Sequence, residues 1–242
     1  MIIAPETTYI TLVVNFKYNS GITTKDVTTL QTNVLSKVAT YNTNTLEHFT
    51  GMFRYSKLIE AINGADTSIL SNITTLKMYK YFTPTLNSGL KYTLNFNNAL
   101  YNPHSGHNAS AGGIISSTGF KINDDSSANE HFLDDDGAGI LRAYYLSGTT
   151  RVYTDSTYGT VNYTTGVVVL TSAHLTSISN VDGATSTRVR VFVIPNSNDI
   201  VPVRNQVLSI DTSNSTITGE VDAITSGSSQ AGTSYTTSSS YS

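Results

Sequence analysis

From residue 8 the chain alternates. Ile10, Leu12, Val14 and Phe16 share one face, and Tyr9, Thr11, Val13 and Asn15 share the other. A period of two over 8–18 predicts a strand with one strongly apolar face, and Asn19-Ser20-Gly21 ends it. The period then lengthens. Over 23–43, Val27, Leu30, Val34, Leu35, Val38 and Tyr41 recur at helical spacing, with Thr28, Asn33 and Lys37 on the outer face. Thr23 and Asp26 have the spacing of a capping box, with Asp where Glu or Gln is preferred. Such an amphipathic helix must lie against something, and the Ile10–Phe16 face is the nearest candidate. A shorter helix is predicted over 54–63, with Leu58, Ile59 and Ile62 inward and Asn63-Gly64 as its stop. After an Asp66-Thr67-Ser68 turn, alternation returns over 72–79 and ends before Pro84. The order strand, helix, helix, strand predicts a compact α+β module over 1–85, two strands pairing beneath two helices.

Beyond Leu90 the helical period disappears. Short β-like runs occupy 91–96, 113–122, 139–146, 150–154, 158–163, 166–171, 188–194 and 206–210. Turn clusters separate them, among them Asn102-Pro103, Asp136-Gly137, Ser147-Gly148, Thr165-Gly166 and Asp182-Gly183. Short strands at such spacing predict a mainly antiparallel, β-sandwich-like domain over 86–211, with an open barrel as the other arrangement. Tyr163 to Val167 reads as a hairpin in which Gly166 is free to take positive φ. Residues 212–242 fade into Ser, Thr and Gly, with few apolar anchors. A tail of that composition is expected to be disordered alone or ordered by a partner. The fold class expected is therefore α+β: a two-strand, two-helix module, then a β-rich domain, then a polar tail.

Composition strengthens the β reading. Charged residues make up 13% of the 242, against roughly 25% in an ordinary soluble domain. Thr, Ser, Asn, Gly and Tyr take their place. A net charge of −3, with 14 scattered Lys and Arg, gives no electrostatic footprint for nucleic acid. There is no Cys, which excludes disulfides and thiolate metal sites and fits a reducing cytoplasm. No apolar stretch approaches the about 18 residues of a membrane span. The N-terminal MIIAPETTYITLVVNF lacks the basic region and cleavage site of a signal peptide.

Candidate chemistry is sparse. His104-Ser105-Gly106-His107 brings two imidazoles together in a Gly/Asn-rich loop, but a metal site needs a further ligand. Asp124 and Asp125 are the nearest acids, and the sequence does not place them; a polar loop tip is the favoured reading. Asp134-Asp135-Asp136-Gly137 invites calcium, yet the twelfth position of an EF-hand loop from Asp134 is Tyr145, not Glu. A turn between strands is the simpler account. No Gly-x-Ser-x-Gly elbow is present, Ala111-Gly112-Gly113 lacks the Lys-Ser/Thr ending of a phosphate loop, and Thr149–Asp155 with Arg151 reads as a polar sheet edge. No catalytic residue, metal or cofactor is expected, and no enzyme.

The aromatic residues say more. Fifteen Tyr and eight Phe, without Trp, include the clusters Tyr79–Phe82 and Tyr144-Tyr145. Tyrosine offers apolar area with a polar tip and is enriched at protein interfaces, although lining a sheet core is an equal use for it.

The run Leu46-Glu47-His48-Phe49-x-x-x-Phe53-Arg54-Tyr55-Ser56-Lys57-Leu58 precedes Ile62-Asn63-x-x-Asp66-x-Ser68-Ile69-x-Ser71-Asn72-Ile73-Thr74. Together they resemble the later part of baseplate wedge ring proteins of T-even-like contractile-tail phages, within the baseplate J-like group. Leu133–Gly137, Leu141-Arg142-x-Tyr144-Tyr145 and Gly159–Gly166 extend the resemblance, in order, across most of 7–210. It implies a scaffold in the virion tail baseplate, assembled in the host cytoplasm, that contacts other copies of itself (as a dimer or in a ring) and other wedge proteins. It also implies that the chain corresponds to the ring-contact portion, because such proteins carry a large region ahead of this part while here the first strand begins within ten residues of Met1. The candidate contact residues are Phe53, Arg54, Tyr55, Tyr144 and Tyr145; core packing and capping compete for the first three. A carbohydrate- or receptor-binding tail module is the alternative, and neither nucleic acid nor membrane is an expected partner.

Overall fold

The computed structural model describes residues 6–107 and 113–224. In chain order its elements are strand β1 (Glu6–Tyr18), helix α1 (Val27–Tyr41), a π-helical turn (Asn42–Leu46), helix α2 (Tyr55–Asn63), and strands β2 (Ile69–Phe82), β3 (Gly89–Asn95), β4 (Ile115–Ser117), β5 (Phe120–Ile122), β6 (His131–Asp135), β7 (Ile140–Ser147), β8 (Thr150–Asn162), β9 (Val167–Ile178), β10 (Val189–Val193), β11 (Gln206–Ile210) and β12 (Thr216–Val221). The chain forms two compact units, and β1 and β2 each contribute residues to both.

The smaller unit comprises Leu12–Asn44, Tyr55–Thr75 and the stretch from Asp211. Leu12, Val14 and Phe16 are buried, as the alternation predicts. Helix α1 begins at Asp26, whose carboxylate accepts from the Thr29 backbone N–H at 2.7 Å. The expected box from Thr23 does not form: its hydroxyl accepts from Lys25 N at 3.2 Å, and the short Asp three residues before Thr29 satisfies the helix start by itself. Leu30, Val34, Val38 and Tyr41 are buried, whereas Leu35, expected inward, is 37% exposed. Helix α2 packs on α1 and buries Leu58 and Ile62. The Asp66 turn forms as expected: Asp66 accepts from Ser68 N at 3.0 Å and Ser68 Oγ at 2.8 Å, and its carbonyl from Ile69 N at 3.1 Å.

One part of the expected tail is structured. Thr216–Val221 forms β12, parallel to Val13–Tyr18 of β1. The composition of 212–242 hid it because strand pairing satisfies backbone groups whatever the side chains. Gly219 is required there, since a Cβ would stand 2.5 Å from the Phe16 ring and 2.9 Å from Val27. Residues from 225 onward lie outside the described residues.

The larger unit comprises the stretch through Thr11, Thr45–Arg54 and Leu76–Ile210. One strand path runs β11-β1-β2-β10-β4. Within this unit β11 lies parallel to Glu6–Ile10, and β10 lies antiparallel to Met78–Phe82. A second path runs β3-β9-β5-β6-β7-β8, and β9 also pairs with β8. The pairings β9-β5-β6-β7-β8-β9 thus close into a circuit, nearer to the barrel alternative than to the sandwich-like pair of sheets. Closure leaves few edges for unintended pairing. Phe120, Leu133, Leu141, Val168, Leu170 and Leu175 are buried in this unit.

Along the chain the compact units alternate at Thr11/Leu12, Asn44/Thr45, Arg54/Tyr55, Thr75/Leu76 and Ile210/Asp211. β10 and β11, read from sequence as part of the 86–211 domain, pair instead with β2 and β1. Locally, 113–122 divides into β4 and β5 around Thr118-Gly119, while 150–154 and 158–163 merge into β8. Among the described residues, no helix is long and apolar enough to cross a membrane.

Candidate interaction surface

Strands β6, β7 and β8 form an antiparallel meander within the larger unit. The β6–β7 turn is made by the third acid of the Asp134-Asp135-Asp136 run. Asp136 Oδ1 accepts from Ala138 N at 2.8 Å and Ile140 N at 2.9 Å, and Gly137 follows with φ 72°. The β7–β8 turn places Gly148, φ 64°, in the first central position of a two-residue loop, where such hairpins favour glycine.

This register sets Phe132 opposite Tyr144, Tyr144 opposite Tyr153, and Asp134 opposite Arg142. Asp134 is almost fully buried. Its Oδ1 accepts from Arg142 Nε at 2.9 Å, and its Oδ2 from Arg151 Nη1 and Tyr153 Oη, each at 2.8 Å. Arg142 also donates from Nη2 to Asp135 O at 2.8 Å. The guanidinium of Arg142 lies 4.4 Å from the Tyr153 ring centre, and that of Arg151 lies 4.7 Å from the Tyr144 ring centre. Phe132, Tyr144 and Tyr153 follow one another at 5.9 Å spacings. Burial and the adjacent Asp134 hydrogen bond raise the Tyr153 phenol above its ordinary value, and burial raises Tyr144. Both phenols therefore stay neutral near pH 7.

The result is an alternating ladder of guanidinium and aromatic groups anchored on one carboxylate. Tyr144, Tyr153, Arg151 and Phe132 are each half-buried, and Leu146 beside them is exposed. Tyr, Phe and Arg are the side chains that interface centres favour, and cation–π stacking holds the long Arg side chains in place. Four of the six Arg lie over tyrosine rings: besides these two, Arg188 lies 4.6 Å from the Tyr81 ring centre, and Arg190 lies 5.9 Å from Tyr81 and 5.8 Å from Tyr79.

Asp135 serves the opposite side of β6. It is fully buried and accepts from Ile114 N at 3.0 Å, Ile115 N at 2.8 Å and Tyr163 Oη at 2.8 Å. The acidic run is therefore mostly strand, with a turn only at Asp136. Two carboxylates enter the protein because each has donors waiting for it.

The expected contact residues part company. Phe53 is fully buried, bridged through its backbone to Ile200 in both directions at 3.0 Å; its ring belongs to the core and is not available as a contact. Arg54 is exposed and pairs with Asp199 at 2.8 Å. In the smaller unit, half-buried Tyr55 donates its hydroxyl to Thr74 O at 2.8 Å. Tyr144 belongs to the ladder. Tyr145, one residue on, turns to the other side and meets the buried His131 edge-on at 5.6 Å. Sequence reasoning missed Asp134, Arg142 and Tyr153 as members of this surface. The signal was present as a repeated Arg-x-Tyr, at Arg142–Tyr144 and Arg151–Tyr153, which puts both residue types on one face of two strands.

Among the described residues, no group of three or more His, Asp or Glu is placed to hold a metal. Asp125 closes its own turn on Ser127 and Asn129.

Residues 6–81 match the family model of baseplate structural protein gp6, C-terminal domain III. The match runs from β1 to β2 and includes the Phe53–Ser56 and Asp66–Thr74 stretches. No curated protein matches the chain. The family match supports a structural role in a phage tail baseplate.

Proposed function

We propose that the chain is a structural component of a phage tail baseplate wedge. It makes ring contacts between neighbouring wedges and helps to transmit baseplate rearrangement to sheath contraction. The match of residues 6–81 carries this reading. The Arg–Tyr ladder on β6–β8 supplies a surface suited to the contacts, with Tyr144 and Arg151 at its centre and Arg54 as a further charged contact. The partners are other copies of the chain and other wedge proteins, met during assembly in the host cytoplasm. Quantitative mass spectrometry of purified tails tests the proposal: the chain is expected at a fixed copy number per baseplate. Its absence from purified tails would count decisively against the reading.

One observation favours a second reading. Tyr144 and Tyr153 present aromatic rings beside the polar groups of Arg151 and Asp134, the pairing of stacking surface and hydrogen-bonding groups that a sugar requires. Glycan-array binding lost in Tyr144→Ala would favour a carbohydrate- or receptor-binding tail module.

A further inference from the structure

We propose that the His104–His107 turn binds a divalent transition-metal ion of the zinc, nickel or copper class. His104 Nε2 and His107 Nδ1 stand 3.2 Å apart, with their rings 82° from coplanar. Two imidazole nitrogens on one tetrahedral ion, each at an ordinary bond length, are about 3.3 Å apart. The pair therefore already has the spacing of a chelate.

The hydrogen bonds around it set the same arrangement. His104 Nδ1 lies 3.3 Å from Ser105 O, an oxygen that only accepts, and the tautomer that satisfies it carries its hydrogen on Nδ1 and leaves Nε2, on the His107 side, as the ligating nitrogen. Metal-binding histidines are held in this way, one nitrogen donating to a carbonyl and the other facing the ion. An ion bound to both would replace the hydrogen bond that the two nitrogens make with each other.

The turn itself is fixed. His107 N donates to His104 O at 3.1 Å, and Gly106, at φ 73°, donates from N to Gly137 O at 2.9 Å. Asn102 Nδ2 donates to the same Gly137 oxygen at 3.0 Å. Little ordering is left for binding to cost. His104 is exposed and His107 half-buried, so an ion reaches the pair from solvent. Water, or a donor from another protein, takes the remaining positions. Two nitrogens without carboxylates select borderline ions over magnesium or calcium.

The test is calorimetric titration of the untagged full chain with zinc chloride. One ion per chain is expected, with binding weakened at least tenfold in both His104→Ala and His107→Ala and unchanged in His48→Ala, which alters another exposed histidine. Saturable binding that is absent, that survives both turn substitutions, or that is lost equally in His48→Ala overturns the proposal. Ring-proton NMR of the wild-type chain answers without any variant. Zinc is expected to shift two of the five histidine signals; a shift of none, or of all five alike, overturns it.

Discussion

Asp134 and Arg142 stand directly opposite in the β6–β7 register, and the carboxylate accepts from Arg142 Nε at 2.9 Å in a nearly dry setting. The same carboxylate holds Arg151 and the Tyr153 hydroxyl. Removing it takes one partner from two guanidinium groups and a phenol at once. Breaking a buried pair from one side costs about 3–5 kcal/mol. Asp134→Ala is expected to lose stability at the lower end of that range, about 3 kcal/mol, because Arg151 is partly exposed. Urea unfolding followed by circular dichroism measures it; a loss below about 1 kcal/mol would mean the ladder is not anchored there.

Acid acts at a separate place, the Asp66 turn. The Lys25 ammonium, then the Ser68 backbone and hydroxyl donors, hold Asp66 down at about 2, against an ordinary 3.8. Because the folded value is the lower one, this contribution is complete above pH 3.8 and fades as pH falls toward 2. Lys25 is half exposed, so screening reduces the contribution to roughly 1–2 kcal/mol. Asp66→Asn is expected to be less stable than wild type at pH 6, with the gap closing between pH 4 and pH 2. A gap that stays constant across that window would contradict this account of the turn.

Two glycines define how closely β8 and its hairpin approach their neighbours. A Cβ on Gly159 would stand 1.9 Å from Val169 O, and one on Gly166, at φ 69°, would stand 2.1 Å from Asn98 O. Both obstacles are backbone. Gly159→Ala and Gly166→Ala are each expected to cost more than roughly 2 kcal/mol, while Gly148→Ala, with nothing within 4 Å of the new atom and only its φ of 64° to strain it, costs about 1 kcal/mol. Thermal unfolding of the three variants ranks them.

What was legible in the sequence follows from how local each cause is. The buried face of β1 showed itself because Ile10, Leu12, Val14 and Phe16 repeat at the strand period, and α1 because Leu30, Val34 and Val38 repeat at the helical one. Gly166 showed itself because a hairpin there needs positive φ, and it has φ 69°. β6 was hidden because its carboxylates look like turn residues until Arg142 of β7, Arg151 of β8 and Tyr163 of the β8–β9 turn are brought to them. β12 was hidden because its partner, β1, lies some two hundred positions away in sequence. The Arg–Tyr ladder was half legible: Tyr144 stood out as one of an aromatic pair, whereas its neighbours depend on strand register, which local pattern does not set. For Phe53 the sequence left a contact and core packing both open; its backbone bridge to Ile200 and its full burial place it in the core.

Lys80 is a buried cation whose removal should help. Its side chain is 3% exposed, and Nζ lies 2.9 Å from Glu6 Oε1 without a well-aligned acceptor among the described residues. Burial lowers its pKa, and the Glu6 partner only partly opposes that. The folded state therefore holds its proton less tightly than the unfolded chain, and the penalty is present at neutral pH and relieved as pH rises toward 10.5. Lys80→Met is expected to be more stable by roughly 1–2 kcal/mol at pH 7, with the advantage shrinking in alkaline buffer. A melting temperature that falls at pH 7 would show that the Glu6 pair outweighs the burial.

Assembly tests the central claim most directly. Mass photometry of the purified chain, alone and mixed with the other tail proteins, reads the mass, and negative-stain electron microscopy of the same samples reads the symmetry. The account predicts that the chain enters a larger symmetric particle, and that Tyr144→Ala with Arg151→Ala, still folded by circular dichroism, enters it at least tenfold less well. A wild-type chain that stays monomeric and never joins a particle would contradict it.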